Sequence, residues 1–131
     1  MRTEIIEYIN TLSLGSFVVS QEVPWEESGT ALYLKNPKKI YVDVVEYNNE
    51  PILQTLDGVN INAETGVVRV FFACDAKQLP SNYETLVSDI KRGKDITTIS
   101  GVNRRECVVN TTIEADLLVT ELDLRFTKLS T

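Results

Sequence analysis

The side chains that most often do chemistry near neutral pH are scarce in this sequence. Histidine is absent from all 131 residues. That removes the commonest general base, the usual serine and cysteine triads and the commonest transition-metal ligand. Cys74 and Cys107 are the two cysteines, too few for a closed zinc site and without an evident activating partner. Paired carboxylates could run acid–base chemistry or hold a divalent cation. Two such pairs exist: Glu26 and Glu27 adjoin Trp25, and Asp75 would meet Asp89 if the helix after it folds back. In an acidic chain such pairs ordinarily face solvent. Gly15, Gly29, Gly58, Gly66, Gly93 and Gly101 are dispersed, so they make no phosphate-cradling loop. The residues therefore predict no enzyme, no catalytic or metal-ligating set and no cofactor.

Charge and composition narrow the class further. Nineteen acidic against 13 basic residues give a net charge of -6, which lacks the footprint of a protein that binds nucleic acid by neutralising phosphates. The densest basic group is Lys35, Lys38 and Lys39, with Arg104 and Arg105 next. The hydrophobic share of 43% is ordinary for a globular protein, and the length predicts one domain over residues 1–131. No signal-peptide pattern or disulfide framework is evident, so both cysteines read as reduced and buried, in a cytoplasmic setting. No apolar run is long enough to cross a bilayer, and no membrane partner is expected.

The elements that must position these residues are organised around residues 67–92. Val67-Val-Arg-Val-Phe-Phe-Ala-Cys74 is almost continuously apolar, as a strand covered on both faces should be. Ser81 and Glu84 have the spacing of a capping box, and Tyr83, Leu86, Val87 and Ile90 follow as one helical stripe. Lys91, Arg92 and Lys94 suit the negative end of that helix, and Gly93 its C′ position. Upstream, residues 3–14 predict a helix with Thr3 as N-cap and Gly15 as terminator, its apolar face formed by Ile5, Tyr8, Ile9 and Leu12. Residues 17–23 predict a short strand, residues 31–34 a second short strand or ordered loop, and residues 40–47 a strand ending at an Asn48-Asn49 turn. Residues 51–63 read as one or two short strands broken at Asp57-Gly58, or as a connection. Residues 104–113 and 117–128 predict a closing hairpin: Cys107, Val109, Thr111 and Ile113 share a face, as do Leu118, Leu122, Leu124 and Phe126. The expected fold is α+β, an antiparallel or mixed sheet carrying two helices in the order α-β-β-β-α-β-β, with the short strand at 31–34 optional in that order.

Three segments carry a family resemblance. Val68-Arg-Val-Phe-Phe-Ala-Cys-Asp-Ala-Lys-Gln-Leu-Pro-Ser-Asn-Tyr83, Arg104-Arg-Glu-Cys107 and Leu118-Val-Thr-Glu-Leu-Asp-Leu-Arg-Phe-Thr-Lys128 resemble the tail terminator proteins of long-tailed bacteriophages (the lambda-like minor tail protein U family). The layout of an early helix, a mid-chain strand and helix, and a final hairpin is similar over nearly the whole length. The resemblance implies a structural virion protein that forms a ring, usually a hexamer. Such a ring sits on the last ring of tail tube protein, ends tube growth and offers a docking surface to head connector proteins. It also implies a location in the virion tail, and in the host cytoplasm during assembly, with DNA passing through the lumen without specific binding. No family motif transfers a role to an individual residue.

A ring subunit needs flanks apolar enough to associate, related by rotation. The expected subunit-interface material is Trp25 with Leu32, Tyr33 and Leu34, together with Ile52 and Leu53 from the segment at 51–63. Two alternatives stay open: another head–tail joining protein of the neck or connector, and a small ligand-binding domain or enzyme using the acids near Asp75.

Overall fold

The computed structural model describes residues 2–92 and 102–130, and side-chain surroundings for residues 2–92 and 107–127. Its elements are α1 (Arg2–Asn10), β1 (Val18–Val19), α2 (Leu32–Lys35), β2 (Lys39–Gln54), β3 (Asn60–Asp75), α3 (Tyr83–Arg92), β4 (Val102–Glu114) and β5 (Leu117–Ser130). The strands form one five-stranded sheet in the order β1-β2-β3-β5-β4. β1 runs parallel to β2 and every other neighbour is antiparallel, so the sheet is mixed. The α+β class expected from the sequence holds; the helix count and the element order differ.

β3 is the middle strand, and its alternation sends side chains to two separate cores. Val68, Val70, Phe72 and Cys74 join Ile40, Val42, Leu122, Leu124 and Phe126 beneath α1 and α3. Ile5, Ile6 and Ile9 of α1 and Leu86 and Ile90 of α3 supply the lid of that layer. On the opposite face, Phe71 and Ala73 pack with Leu32, Tyr33, Tyr41 and Val119. Two hydrogen bonds tie this layer together: the Tyr8 hydroxyl of α1 donates to the Asp89 carbonyl of α3, and Asn82 Nδ2, at the junction just before α3, donates to the Leu14 carbonyl in the loop after α1 at 2.9 Å. Gly15 is required at that junction, since its φ is +60° and a Cβ there would stand 2.8 Å from Asn82 Nδ2. Within the first core the Tyr83 hydroxyl and the fully buried Thr120 hydroxyl satisfy each other at 2.7 Å.

Several boundaries move from where residue pattern places them. The first helix spans Arg2–Asn10, shorter than residues 3–14, and the early strand shrinks to Val18–Val19. The segment expected as a strand or loop at 31–34 is instead largely an additional helix, α2. Only Ala31 makes an isolated bridge, to Trp25. A single helical turn lets both Leu32 and Tyr33 face inward, at 7% and 6% exposure, whereas a strand would send them to opposite faces. Helix α3 starts one residue later than a Ser81 cap implies, because the Leu86 N–H reaches the Asn82 carbonyl at 2.8 Å. Asn48 and Asn49 are no turn: β2 runs through them, pairing Asn48 with Thr65 and Asn49 with Glu64. Gly93 and the connection at 95–101 lie outside the described residues. The closing hairpin forms as expected, with Cys107 opposite Leu124, Val109 opposite Leu122 and Ile113 opposite Leu118. Its two-residue loop, Ala115 and Asp116, has φ of 50° and 63°, the signature of the mirror-image turn that matches strand twist.

Burial pushes the Cys74 thiol above its ordinary range, helped by the Asp75 carboxylate, and burial likewise raises the Tyr8 phenol, with Asp89 adding to it. Both groups are held protonated in the folded chain, so the unfolded chain releases those protons first as pH rises. Their contribution to stability is complete at neutral pH and is lost as pH climbs through the range in which they ionise when folded. A Cys74→Ala variant should therefore show a shallower decline of its urea midpoint than the parent between about pH 8 and 11. Identical slopes would contradict the assignment.

Candidate assembly surface

The sheet is much longer than its cover. β2 and β3 each have 16 residues, which at about 3.3 Å per residue is roughly 53 Å of strand. α1 and α3 have 9 and 10 residues, roughly 14 and 15 Å of helix. The covered end is the one carrying Ile40–Val44, Val68–Cys74 and Leu118–Phe126. Beyond it, β2 side chains 45–54 are exposed without a break, while the ladder to β3 continues to Gln54 opposite Asn60. β5 accompanies β3 as far as Ser130 opposite Asn62, so the last rungs form a two-stranded tip closed by residues 55–59. Gly58, at φ +84°, donates its N–H to the Thr55 carbonyl at 3.0 Å in that turn.

This projecting hairpin is apolar where it reaches furthest. Ile52 is 56% exposed, Leu53 60%, Val59 44%, and Leu56 is fully exposed. Large aliphatic side chains gain nothing from water there. Of the expected interface residues, Ile52 and Leu53 stand on this tip. Trp25, Leu32, Tyr33 and Leu34 lie elsewhere, on the sheet face opposite α1 and α3. Tyr33 stacks on Phe71 at 5.0 Å and 9°, and Trp25 meets both rings edge-on at 5.5 and 6.0 Å. Leu32 and Tyr33 are thus consumed by the subunit's own second core, and Leu34 packs at its border. Trp25 keeps 43% of its surface exposed. The structure therefore divides the expected interface set into two unrelated groups. Leu56 and Val59 belong to the same expected segment at 51–63 and flank the Asp57-Gly58 turn signal that marks a hairpin tip.

Next to the aromatic group the same face turns ionic. Arg69 grips Asp123 with two bonds, Nε to Oδ1 at 2.5 Å and Nη2 to Oδ2 at 3.0 Å. Its guanidinium carbon lies 5.9 Å from the Phe71 ring centroid, so one side chain joins the aromatic and charged zones. A shallow cleft of about 310 Å³ follows towards the tip, lined by Glu46, Asn48, Thr65, Val67, Arg125 and Thr127. Both signs of charge are present, which fits a contact surface and offers no focused field to an anion or a cation. Glu26 is engaged by Lys35 at 2.9 Å, and Asp75 accepts from the Lys77 N–H at 2.9 Å. Among the described residues, no three His, Cys, Asp or Glu side chains are grouped so as to hold a metal ion. No helix among them is long and apolar enough to cross a membrane. No protein-family model matches the chain, and no curated protein is similar to it at a significant level.

The Arg69–Asp123 pair is partly open to water, which limits what it contributes. Asp123→Ala should lower the unfolding free energy by about 1 kcal/mol, and the difference should shrink in molar salt. Urea titrations at low and high ionic strength measure both effects.

Proposed function

We propose that this chain is a structural assembly subunit and, following the resemblance of its sequence, a tail terminator: a ring of copies, six on that resemblance, capping a tail tube. In this reading the ring ends polymerisation of the tube protein and presents the surface to which head connector proteins dock. It acts in the virion tail after assembly in the host cytoplasm. The observation that carries the assembly role is the sheet that outruns its helices and ends in an exposed apolar hairpin. Stable contacts between subunits bury more than about 1,000 Å² in total, and a projecting ribbon with aliphatic side chains at its tip supplies area that folding of one chain leaves unused. The net charge of -6 suits a lumen through which DNA slides without binding. The runner-up within the same class is another head–tail joining protein, which shares the ring habit and differs in its neighbours.

Two measurements test this. Electron microscopy of particles lacking the protein should show overlong tails; tails of normal length that fail to attach to heads would assign it to the joining class instead. The combined variant Ile52→Ser, Leu53→Ser and Leu56→Ser should fold as the parent does, since exposed sites each shift stability by under about 0.5 kcal/mol. It should nevertheless fail to co-sediment with purified tail tubes. Retained co-sedimentation would separate the hairpin tip from assembly.

A further inference from the structure

The two edges of the sheet are managed differently. At the β2 edge, β1 pairs at Lys39 and Ile40, and Arg2 Nε takes the Val42 carbonyl at 2.7 Å. Further along, the β2 ladder is irregular between Val44 and Glu46 and again between Pro51 and Leu53, and Pro51 has no N–H to offer. Bulges and a proline are the devices that keep an edge from accepting another strand. The β4 edge has few of them. Its ladder to β5 is irregular only between Arg104 and Glu106, then runs regularly to Glu114. Residues 107–113, Cys-Val-Val-Asn-Thr-Thr-Ile, contain no charge, proline or glycine. Among the described residues no strand pairs with its outer side. Val108 is 42% exposed on one sheet face and Ile113 72% on the other, so a strand laid along β4 would cover apolar surface on both.

We propose that β4 pairs antiparallel with β4 of a second copy about a two-fold axis, with Val109 on the axis. A second copy is the occupant because the strand is complementary to itself. Its sequence opens with Arg104-Arg105-Glu106, one positive charge in excess, and ends in the acidic Glu114, and an antiparallel self-pairing sets each end against its opposite. The blunted β2 edge is not the counterpart. Symmetry and charge favour the register that sets Arg104 opposite Glu114 of the second copy. A two-fold axis perpendicular to the sheet keeps each residue on its own face, so residues meet only partners of the same face. An axis at Asn110 would oppose Glu106 to Glu114 of the second copy, a like-charge pair. An axis at Thr111 would direct Glu106 to Asp116. With Val109 on the axis, Glu106 meets Thr112, Cys107 meets Thr111 and Val108 meets Asn110 of the second copy. This contact does not rest on the ring reading, which needs contacts related by rotation about the ring axis. A dimer that forms no larger species would uphold the pairing and fail the ring.

The register makes the test specific, because native Cys107 would face residue 111 of the second copy. Full-length Thr111→Cys, oxidised with copper–phenanthroline, should form a covalent dimer on a non-reducing gel, two thiols giving two protons and two electrons to the oxidant. The parent and Thr112→Cys should not. Val108→Lys combined with Asn110→Lys sets lysine against lysine at exposed positions and should weaken dimerisation at least tenfold by light scattering. Its melting curve checks that the fold is kept. A parent that stays monomeric at every concentration overturns the proposal, as does cross-linking of Ile113→Cys in preference to Thr111→Cys.

Discussion

Burying β3 on both faces is the constraint on which this architecture depends. A strand reading Val-Val-Arg-Val-Phe-Phe-Ala-Cys has no face that can be left to water except at Arg69. Each fully buried large side chain contributes about 1.5–3 kcal/mol relative to exposure. Phe72 and Phe71, on opposite faces, must therefore each have a cover. α1 and α3 together provide one, and the short α2 with Trp25 provides the other. Arg69 escapes the requirement by emerging where the second cover stops, with Asp123 beside it and the Phe71 ring beneath. Local choices that look unrelated serve this arrangement. Gly15 lets Asn82 approach closely enough to clamp the two helices at their junction, and Arg2 pins the start of α1 to β2 and to the carbonyls of Gln21 and Glu22.

The same strand creates a second demand that the chain does not meet from its own described residues. β3 is extended well past its apolar stretch, and β2 follows it to the hairpin tip. Typical strands have about five or six residues, so a strand of 16 is a construction for reaching. The exposed face at the tip end is held by polar links such as the Tyr47 hydroxyl on Glu64, and these order the ribbon without covering it. The aliphatic residues sit beyond those links, uncovered by the described residues of this chain. That placement separates this hairpin from a loop that merely connects.

How much of this could be read from residues alone follows from which forces are local. The buried character of residues 67–74 and the α3 stripe were legible, because strand and helix periods act over a few neighbours. The closing hairpin was legible for the same reason: its alternation is clean and its partner is adjacent in sequence. At Asn48-Asn49 local turn preference loses to a ladder whose other half lies across the hairpin at Glu64 and Thr65. α2 is not legible locally because Leu32 and Tyr33 are drawn inward by Phe71 and Tyr41, residues no local window contains. A pattern of apolar side chains in a loop does not say how far the subunit itself buries them, as it does Leu32 and Tyr33. Ile52 and Leu53 had the identical signature and met the opposite fate.

The unequal treatment of the two sheet edges bears on what kind of assembly a sheet of this form can enter. An edge is neutral as to partner until bulges, proline or charge close it. Closing β2 and leaving β4 regular breaks the equivalence between the edges, so head-to-tail growth of one sheet through successive copies is disfavoured. Such growth would be open-ended, and open-ended strand addition is the route to fibres. A single receptive edge can be used once per subunit. It terminates in a pair if it meets itself, and any larger closed body must then be built from other surfaces, among which the described residues offer the hairpin tip and the mixed-charge cleft. A contact that closes on itself is bounded by its symmetry, and the regular run of β4 suits such a contact without inviting open-ended growth.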